Sequence, residues 1–261
     1  MPHSSRKRKS PPAKRIHVLD NDGWTHITNS KTTTARPRPP KPEDQLTPAE
    51  CPDGLTFAKL REKYEWHRQR WIESQAWTAV KKVLEQELAR FPGTIYNCVA
   101  VGLGSPSGLL RGGWVDRRSI SMFQLAALES ILGLLSQTKT INAENLYAQD
   151  PVFNDMDKKL LQSIGFKVVQ DPQAFSMVEE GTFLYAPGAE RVHLMKLLPH
   201  NPVLFFGSCL DGMHSVSMEE DAFQDFIERK SSLLLPEFES NPTAFWKATL
   251  YWHASEQKGG F

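Results

Sequence analysis

The feature that most constrains the fold is an alternation of short apolar runs and longer amphipathic segments, which begins after Gly93. The runs FLYA at 183–186 and VLFF at 203–206 are apolar at every position, as is typical of strands covered on both faces. Segments with helical periodicity lie between such runs, and this order requires crossover connections between parallel strands. The sequence therefore predicts an α/β fold: a three-layer αβα, Rossmann-like domain with a mainly parallel sheet over residues 93–254.

The individual elements of this domain follow from periodicity and from the turn residues that interrupt it. Strands are predicted at 94–101, 144–149, 166–170, 182–186, 203–206 and 245–253, and helices at 121–137, 154–164, 172–179, 190–198 and 222–234. Gly165 is predicted to follow the second of these helices at the C′ position, where a left-handed conformation favours glycine.

The segment before the domain is predicted to be one long helix. Apolar and aromatic residues recur at roughly helical spacing from Leu55 to Arg90, and Thr56 stands where an N-cap is expected. The sequence Phe91-Pro92-Gly93 is expected to stop this helix. Residues 55–92 are therefore predicted to form a helical extension that packs on the sheet domain, and residues 255–261 a short C-terminal tail.

Residues 1–54 have the composition of a disordered tail. The formal charge of the chain is +1, but residues 1–42 alone contain 10 basic and 2 acidic side chains, and the other 219 contain 21 and 28. This Pro-, Ser- and Thr-rich segment has too few large apolar side chains to offset the entropy of ordering. Its cluster Arg6–Lys9 is typical of a nuclear localisation signal, of a polyanion contact or simply of a solvated tail. Nucleic-acid contact is expected only through this tail, in which Gly23–Ile27 is a candidate docking strand.

Cysteine usage and hydropathy indicate the compartment. The three cysteines, Cys51, Cys98 and Cys209, show no spacing typical of zinc sites, and their scatter favours a reducing intracellular environment. No apolar run approaches the roughly 18 residues of a membrane span, and the N-terminus lacks the apolar core of a secretory signal. The sequence predicts a protein of the nucleus and cytoplasm, without a membrane segment or a metal site.

The segment YNCVAVGLGSPSG at 96–108 gives the strongest indication of a ligand site. In open α/β sheets ligands bind beyond the carboxyl ends of the strands, and small residues follow several predicted strands here. Glycine lets the backbone approach a ligand, free amides bind anions, and a carboxylate can accept hydrogen bonds from ribose hydroxyls. The candidate binding residues are Gly102, Gly104, Ser105, Asp150, Pro187, Gly188 and Gly207. Either this set binds S-adenosylmethionine or a nucleotide, or its small residues serve tight turns.

The same segment departs from the dinucleotide fingerprint GxGxxG. Its third glycine, Gly108, is one residue late, and Pro106 lies inside the loop. The stretch LLRGGWVDRRS separates the loop from the next helix, and Asp150 follows Gly104 by 46 residues. In the fingerprint the acidic residue comes about 20 residues on, so a standard dinucleotide loop is not expected.

The sequence contains no recognisable catalytic motif, since GxSxG, HExxH, a Walker loop and a clustered metal motif are all missing. His193 lies on an otherwise apolar helix and is expected to be structural rather than a general base. Cys98 falls in a buried strand and is expected to be inert, whereas Cys209 follows a strand end. The catalytic residues, if any, stay unassigned.

Several longer motifs resemble the sensitivity-to-red-light-reduced (SRR-like) domain proteins, particularly their fungal members. The motifs are VGLGSPSG at 101–108, SMFQLAALESIL at 121–132, AQDPVFNDMDKKLLQSIGFKVV at 148–169, TFLYAPGAERVHLMKLLP at 182–199 and PVLFFGS at 202–208. Plant and animal members have Pro-His after the fourth strand, where this chain has Pro187-Gly188. The resemblance implies a regulatory role linked to circadian and light signalling, haem metabolism or cytoskeletal stability, and it implies no established catalytic residues.

Two functions are therefore predicted. The first is an intracellular regulatory protein, non-catalytic or of unknown activity, which has protein partners and whose strand-end surface binds either a small-molecule ligand or a partner. It is favoured because no nucleophile or acid/base pair is recognisable. The second is a transferase dependent on S-adenosylmethionine or a nucleotide, which would use Gly102–Gly108 and Asp150, since methyl transfer can proceed mainly by positioning.

Overall fold

The computed structural model describes residues 15–19, 25–29, 47–88, 95–110, 116–137, 141, 144–210 and 219–253. The chain divides into two compact units, Met1–Gln45 and Leu46–Phe261. The predicted helix stop at Phe91-Pro92-Gly93, the basic cluster Arg6–Lys9 and the tail 255–261 lie outside the described residues.

The first unit contains two short strands, β1 (Arg15–Leu19) and β2 (Thr25–Asn29). They pair in an antiparallel manner, with Arg15 opposite Asn29 and Leu19 opposite Thr25. Residues 25–27 of the predicted docking strand Gly23–Ile27 therefore belong to β2 and pair with β1. Whether it docks on the sheet domain stays a prediction.

The second unit begins with two helices, α1 (Phe57–Ile72) and α2 (Gln75–Leu88), where the sequence predicts one. Ser74 causes the interruption. Its hydroxyl donates to the Trp71 carbonyl at 2.7 Å, and its Oγ accepts the Trp77 N–H at 3.0 Å, which caps the start of α2. Thr56 caps α1 as predicted, because its side chain accepts the Lys59 N–H at 3.3 Å.

A sheet of seven strands forms the centre of the second unit, in the order β5-β4-β3-β6-β7-β9-β8. The strands are β3 (Asn97–Val101), β4 (Leu146–Gln149), β5 (Lys167–Val168), β6 (Thr182–Ala186), β7 (Leu204–Ser208), β8 (Lys230–Leu234) and β9 (Ala248–His253). The first five are parallel to one another, while β9 is antiparallel to both β7 and β8. The predicted mainly parallel sheet is confirmed.

Helices cover both faces of this sheet. The remaining helices are α3 (Arg118–Gln137), α4 (Asp155–Ser163), α5 (Arg191–Leu197) and α6 (Glu219–Glu228), with 3-10 turns at Gln173–Met177 and Leu198–His200. In β3, Cys98 and Ala100 join a core cluster with residues of α1–α4, while Val99 and Val101 join a second cluster with residues of α5 and α6. The alternation gives three layers, which confirms the predicted αβα architecture.

One element prediction is wrong in type. The helix expected at 222–234 ends at Glu228, and Lys230–Leu234 is strand β8. Pairing with β9 determines this conformation, since Lys230 lies opposite His253 and Leu234 opposite Thr249. A tertiary contact here overrides local periodicity, as is common for edge strands.

Helix α3 lies in the core between the sheet and α1. Its 20 residues are long and apolar enough to cross a membrane by length and composition alone, but 67% of its apolar stretch is buried inside the protein. The hydroxyl of Tyr64 in α1 donates to Glu129 of α3 at 2.5 Å, and burial raises the pKa of this phenol. Helix α3 is therefore a core helix of the three-layer domain.

Candidate functional site

The site lies where the loops after β3, β4 and β6 meet. Strand β3 stands between β4 and β6, so the chain moves to one side of β3 first and to the other side later. This is the topological switch point, where open α/β sheets have a crevice beyond the carboxyl ends of their strands. Gly102, Asp150 and Gly188, all predicted as site residues, come together there and line both of two adjoining cavities.

The two cavities have different walls. The helix-side cavity has a volume of about 150 Å³ and lies against the start of α3, with Arg117, Ser121 and Gln124 among its lining residues. The carboxylate cavity has a volume of about 200 Å³ and includes Asp171 and Glu190 in its wall. Asp150 belongs to both, so it stands at their junction.

Asp150 bonds to the glycine loop (residues 102–108). Its Oδ2 accepts the Gly104 N–H at 2.8 Å, and its Oδ1 accepts the Val152 N–H at 3.1 Å. Gly104 has φ of +70°, which favours glycine, and a Cβ there would lie 2.7 Å from the Ser121 Oγ. Asp150 and Gly104 are thus joined directly, across 46 residues of sequence.

Asp157, the third residue of α4, holds the second half of the same loop. Its carboxylate accepts the Ser105 hydroxyl at 2.6 Å and the Ser107 N–H at 2.9 Å. It also accepts the Asn154 N–H at 3.0 Å, which completes a capping box. The side chain is fully buried, so it is a component of the loop rather than of the surface.

Asp157 was not among the predicted site residues. The pattern Asn154-x-x-Asp157 is a capping-box signature and could have identified its inward orientation. The bond to Ser105, by contrast, joins residues 52 apart and left no local signal.

Two buried carboxylates therefore accept hydrogen bonds from the backbone amides that a bound phosphate would need. The N–H groups of Gly104 and Ser107 donate to Asp150 and Asp157, and the Gly108 N–H donates to the Ser105 Oγ at 2.8 Å. A phosphate-binding loop needs such amides free and directed at the ligand. In this conformation the glycine loop is instead bound to the start of α4, and its use by a nucleotide stays a prediction.

Burial determines the acidity of both carboxyl groups. Desolvation raises the pKa of Asp150 and that of Asp157 above the ordinary value of 3.8, although their hydrogen bonds oppose the shift. For Asp150, the negative charges of Asp157 and Asp171 raise the pKa further. The junction of the cavities is therefore a region of negative potential, which repels anions.

The glycines at the switch point allow two loops to approach each other. A Cβ on Gly188 would lie 2.4 Å from the Gly102 carbonyl oxygen, and one on Gly102 would lie 2.7 Å from the Ala189 nitrogen. Both contacts are with backbone atoms, which cannot move aside without shifting a strand. These two glycines are therefore required by packing, whatever else the cavities hold.

The other predicted site residues differ in position. Ser105 is buried and lines the helix-side cavity. Pro187 and Gly207 line neither cavity. Gly207 lies in β7, where a Cβ would be 2.3 Å from the Phe205 ring. The structure thus gives Gly207 a packing role, and its predicted ligand contact stays a prediction.

The wall of the carboxylate cavity also contains two aromatic rings. Phe175 and His193 are in edge contact, with ring centroids 5.5 Å apart. Gln149 supports this wall, because its amide donates to Asp171 and accepts the Ala174 N–H, both at 2.7 Å. No lysine or arginine lines this cavity in the part of the chain that the structure describes.

The described residues contain little that could perform covalent chemistry. The Ser105 hydroxyl is buried against Asp157, and no described carboxylate bonds to the ring of His193. Burial raises the pKa of the Cys98 thiol well above its usual range, so this thiol is protonated and unreactive. Within the described ranges, no group of three or more His, Cys, Asp or Glu side chains could hold a metal ion.

Fold and site together define the class: a Rossmann-like αβα domain with a two-part cleft at its switch point. The model of the SRR1 domain matches residues 80–252, which is more than half of the chain. The chain therefore belongs to the SRR1 domain family, in agreement with the resemblance seen in its motifs.

Other comparisons show little. No curated protein matches the chain. A crystal structure of the Thermoplasma acidophilum protein 1320 has 10% sequence identity and a TM-score of 0.32, over 74% of this chain and 98% of that one.

Proposed function

We propose that this SRR1 domain protein is a regulatory protein of the nucleus and cytoplasm, whose cleft binds a small molecule without transforming it. We place it in the fungal-type branch of the family, and we expect its protein partners to read the ligand-bound state. Signalling of the circadian type or haem-linked regulation is the process that the family resemblance suggests.

The observation that carries this proposal is the pair of adjoining cavities at the switch point. A ligand there would contact the loops after β3, β4 and β6 at once, so its binding would be coupled to their arrangement. Among the described residues the cleft offers hydrogen-bond acceptors and apolar surface, while its Ser105 hydroxyl is buried against Asp157 and is not paired with a histidine. Binding is therefore better supported than catalysis.

A transferase dependent on S-adenosylmethionine is the second candidate. The observation that favours it is the position of Asp150 at the end of β4 and of Asp171 after β5, both in the wall of one cavity. Carboxylates at these strand ends can accept hydrogen bonds from a nucleoside, and methyl transfer can rely on positioning alone.

A ligand screen with the purified full-length chain tests the binding function. The panel contains S-adenosylmethionine, S-adenosylhomocysteine, NAD, NADP, ATP, GTP and haem, and thermal unfolding is the measurement. A ligand at 100 times its dissociation constant stabilises the folded state by about 2.7 kcal/mol. The absence of a shift with every compound would overturn the proposal.

Mass spectrometry of the bound compound separates the two candidates. A regulatory binder returns its ligand unchanged after incubation with cell extract. A transferase converts S-adenosylmethionine to S-adenosylhomocysteine at a rate that depends on the cleft. Turnover that Asp171→Asn abolishes and Glu179→Gln leaves intact would favour the transferase.

The basic cluster supports the proposed localisation. Replacing Arg6–Lys9 with alanines is expected to reduce nuclear accumulation of a fluorescent fusion of the full chain, because importin recognition of such clusters depends on their charge. Alanines at Lys158 and Lys159, which are basic residues of α4, provide a control of comparable kind. An unchanged distribution in the first variant would contradict the prediction.

A further inference from the structure

The two cavities of the cleft differ in charge, although Asp150 belongs to both. Three carboxylates, Asp150, Asp171 and Glu190, line the carboxylate cavity, and no basic side chain other than that of His193 lines it among the described residues. In the helix-side cavity Arg117 is a lining residue. A ligand that fills both would need an anionic group at one end and hydrogen-bond donors or positive charge at the other.

Gln124 gives the helix-side cavity an unused acceptor. The residue is 6% exposed and lines the cavity. Its Nε2 donates to the Ala244 carbonyl at 2.9 Å, which fixes the orientation of the amide. No described residue donates to its Oε1. This oxygen is therefore able to accept a hydrogen bond from a ligand in the cavity.

Arg117 and this oxygen together match the two charged groups of an amino acid. A guanidinium binds a carboxylate through two parallel hydrogen bonds. An ammonium group has three donors and no acceptor, so it pairs with an amide oxygen. Ser121, which lines the same cavity, adds a hydroxyl that can donate or accept.

The carboxylate cavity matches a nucleoside without phosphate. Asp150 accepts two backbone N–H groups, but a carboxylate has about four lone-pair positions, so it retains capacity for a ribose hydroxyl. The rings of Phe175 and His193 provide an aromatic wall for a base. Phosphate is disfavoured here, because the loop amides are occupied and the carboxylates repel anions.

We propose that the cleft binds an amino-acid-bearing nucleoside, with the amino acid against Arg117 and Gln124 and the nucleoside against Asp171 and Phe175. S-adenosylmethionine and S-adenosylhomocysteine belong to this class, and the sulfonium of the former would also be attracted by the carboxylates. This inference rests on the proposed binding function of the cleft, and it names the ligand class of that site.

Calorimetric titration of the full chain with S-adenosylhomocysteine, adenosine and ATP tests the assignment. S-adenosylhomocysteine is expected to bind most tightly and adenosine more weakly. ATP is expected to bind at least roughly tenfold more weakly than S-adenosylhomocysteine, because its phosphates would lie beside Asp150 at the junction and would find the Gly104 and Ser107 amides already bonded. ATP binding as tight as that of S-adenosylhomocysteine would overturn the assignment.

Arg117→Ala tests the orientation of the ligand. Loss of a charged hydrogen-bond pair is expected to weaken S-adenosylhomocysteine roughly tenfold or more and to leave adenosine unchanged. Arg118→Ala is the matched control, since Arg118 is paired with Asp116 at 2.6 Å and lines neither cavity. An equal loss for both ligands in Arg117→Ala would overturn the two-ended arrangement.

Glu190→Gln tests the opposite end. Both S-adenosylhomocysteine and adenosine are expected to bind more weakly, whereas Glu179→Gln, which changes an exposed carboxylate outside the cavity, leaves both unchanged. If no adenosine compound binds but another member of the screening panel does, the ligand class is wrong and the binding function survives. If nothing in the panel binds, both proposals fail.

Discussion

Asp157 shows how one buried side chain can determine the conformation of a loop. It accepts hydrogen bonds from Ser105, Ser107 and Asn154, two in the glycine loop and one at the start of α4. The loop is therefore shaped by a carboxylate that belongs to the protein. This explains why a glycine-rich segment with a late third glycine still forms a compact turn.

Removing this carboxylate should be costly. In Asp157→Ala the three donors lose their acceptor in the interior, and each such loss costs about 1–3 kcal/mol. The free energy of unfolding is expected to fall by roughly 3 kcal/mol or more, measured by urea denaturation at neutral pH. Asp155→Ala, on the exposed side of α4, is expected to change it by less than about 0.5 kcal/mol. Similar values for the two variants would mean that Asp157 does not hold the loop.

Asp150 should give stability an unusual dependence on pH. Burial raises its pKa in the folded state above the ordinary 3.8, so the folded protein binds a proton more readily than the unfolded chain. Its contribution to stability is then fully present below pH 3.8 and is lost as pH rises through the raised folded-state pKa. Wild type should therefore gain stability relative to Asp150→Asn as pH falls from 7 towards 4.

Urea denaturation of both proteins at several pH values measures this difference. The comparison cancels the titration of groups that do not interact with Asp150, because they are common to the two chains. A difference that is constant with pH, or one that grows in the opposite direction, would show that the Asp150 carboxyl is not held in a desolvated site.

For individual residues, the sequence predicted which of them lie at the strand ends, but it did not predict which side chains bond to each other. Gly102, Gly104 and Asp150 were identified because glycines and carboxylates at strand ends follow a general rule. The partnership of Asp157 with Ser105, and the joint position of Arg117 and Gln124 in one cavity, depend on how α3 and α4 approach the loop. No local pattern encodes such approaches.

The approach of the loops after β3 and β6 is a property of the elements. Gly188→Ala places a Cβ 2.4 Å from the Gly102 carbonyl oxygen, so the two strands must separate. We expect a loss of about 1–3 kcal/mol in the free energy of unfolding, as for other overpacked sites. Gly133→Ala, in the interior of α3 with nothing within 4 Å of the new Cβ, is the control.

The control should change stability in the opposite direction. Alanine is favoured over glycine inside a helix by about 1 kcal/mol, so Gly133→Ala is expected to stabilise the protein. Thermal unfolding of the two variants measures both effects. Stabilisation by Gly188→Ala would show that the loops are not in the close contact described.

Element prediction succeeded where both ends of an element carry a signal. Strand β6 was predicted at its observed bounds, because a continuous apolar run stands between Gly181 and Pro187. Prediction failed at β8 for two reasons. Lys230–Leu234 is partly polar, as edge strands often are, and no glycine or proline separates it from α6. The division of α1 from α2 was also missed, since Ser74 is a weak signal unless its hydroxyl bonds are known.

For the molecule as a whole, the predicted boundary of the tail at residue 54 extends too far into the chain. Ala49 is 4% exposed, and its N–H donates to the Val152 carbonyl at 2.8 Å. Glu50 and Leu109 exchange two backbone hydrogen bonds, and the Asn154 amide donates to the Ala49 carbonyl at 3.1 Å. Residues 47–50 therefore belong to the sheet domain, where they cover the far side of the glycine loop. The polar, proline-rich composition of residues 1–54 predicted disorder and gave no indication of these bonds.

Two truncations test this boundary. A chain that begins at Leu46 retains each of these bonds and both core clusters, so its thermal midpoint is expected within about 2 °C of that of the full chain, equivalent to less than ~1 kcal/mol.

A chain that begins at Leu55 loses the bonds of Ala49 and Glu50 and leaves the Leu109 N–H and the Val152 carbonyl without their partners. Its midpoint should fall by at least about 5 °C, since the buried Ala49–Val152 bond alone is worth about 1–3 kcal/mol and the bonds between Glu50 and Leu109 are lost with it. Because the strand-like pair Glu50 and Leu109 flanks the helix-side cavity, the shorter chain should also bind any cleft ligand more weakly. Equal midpoints for the two truncated chains would place residues 46–54 with the tail after all.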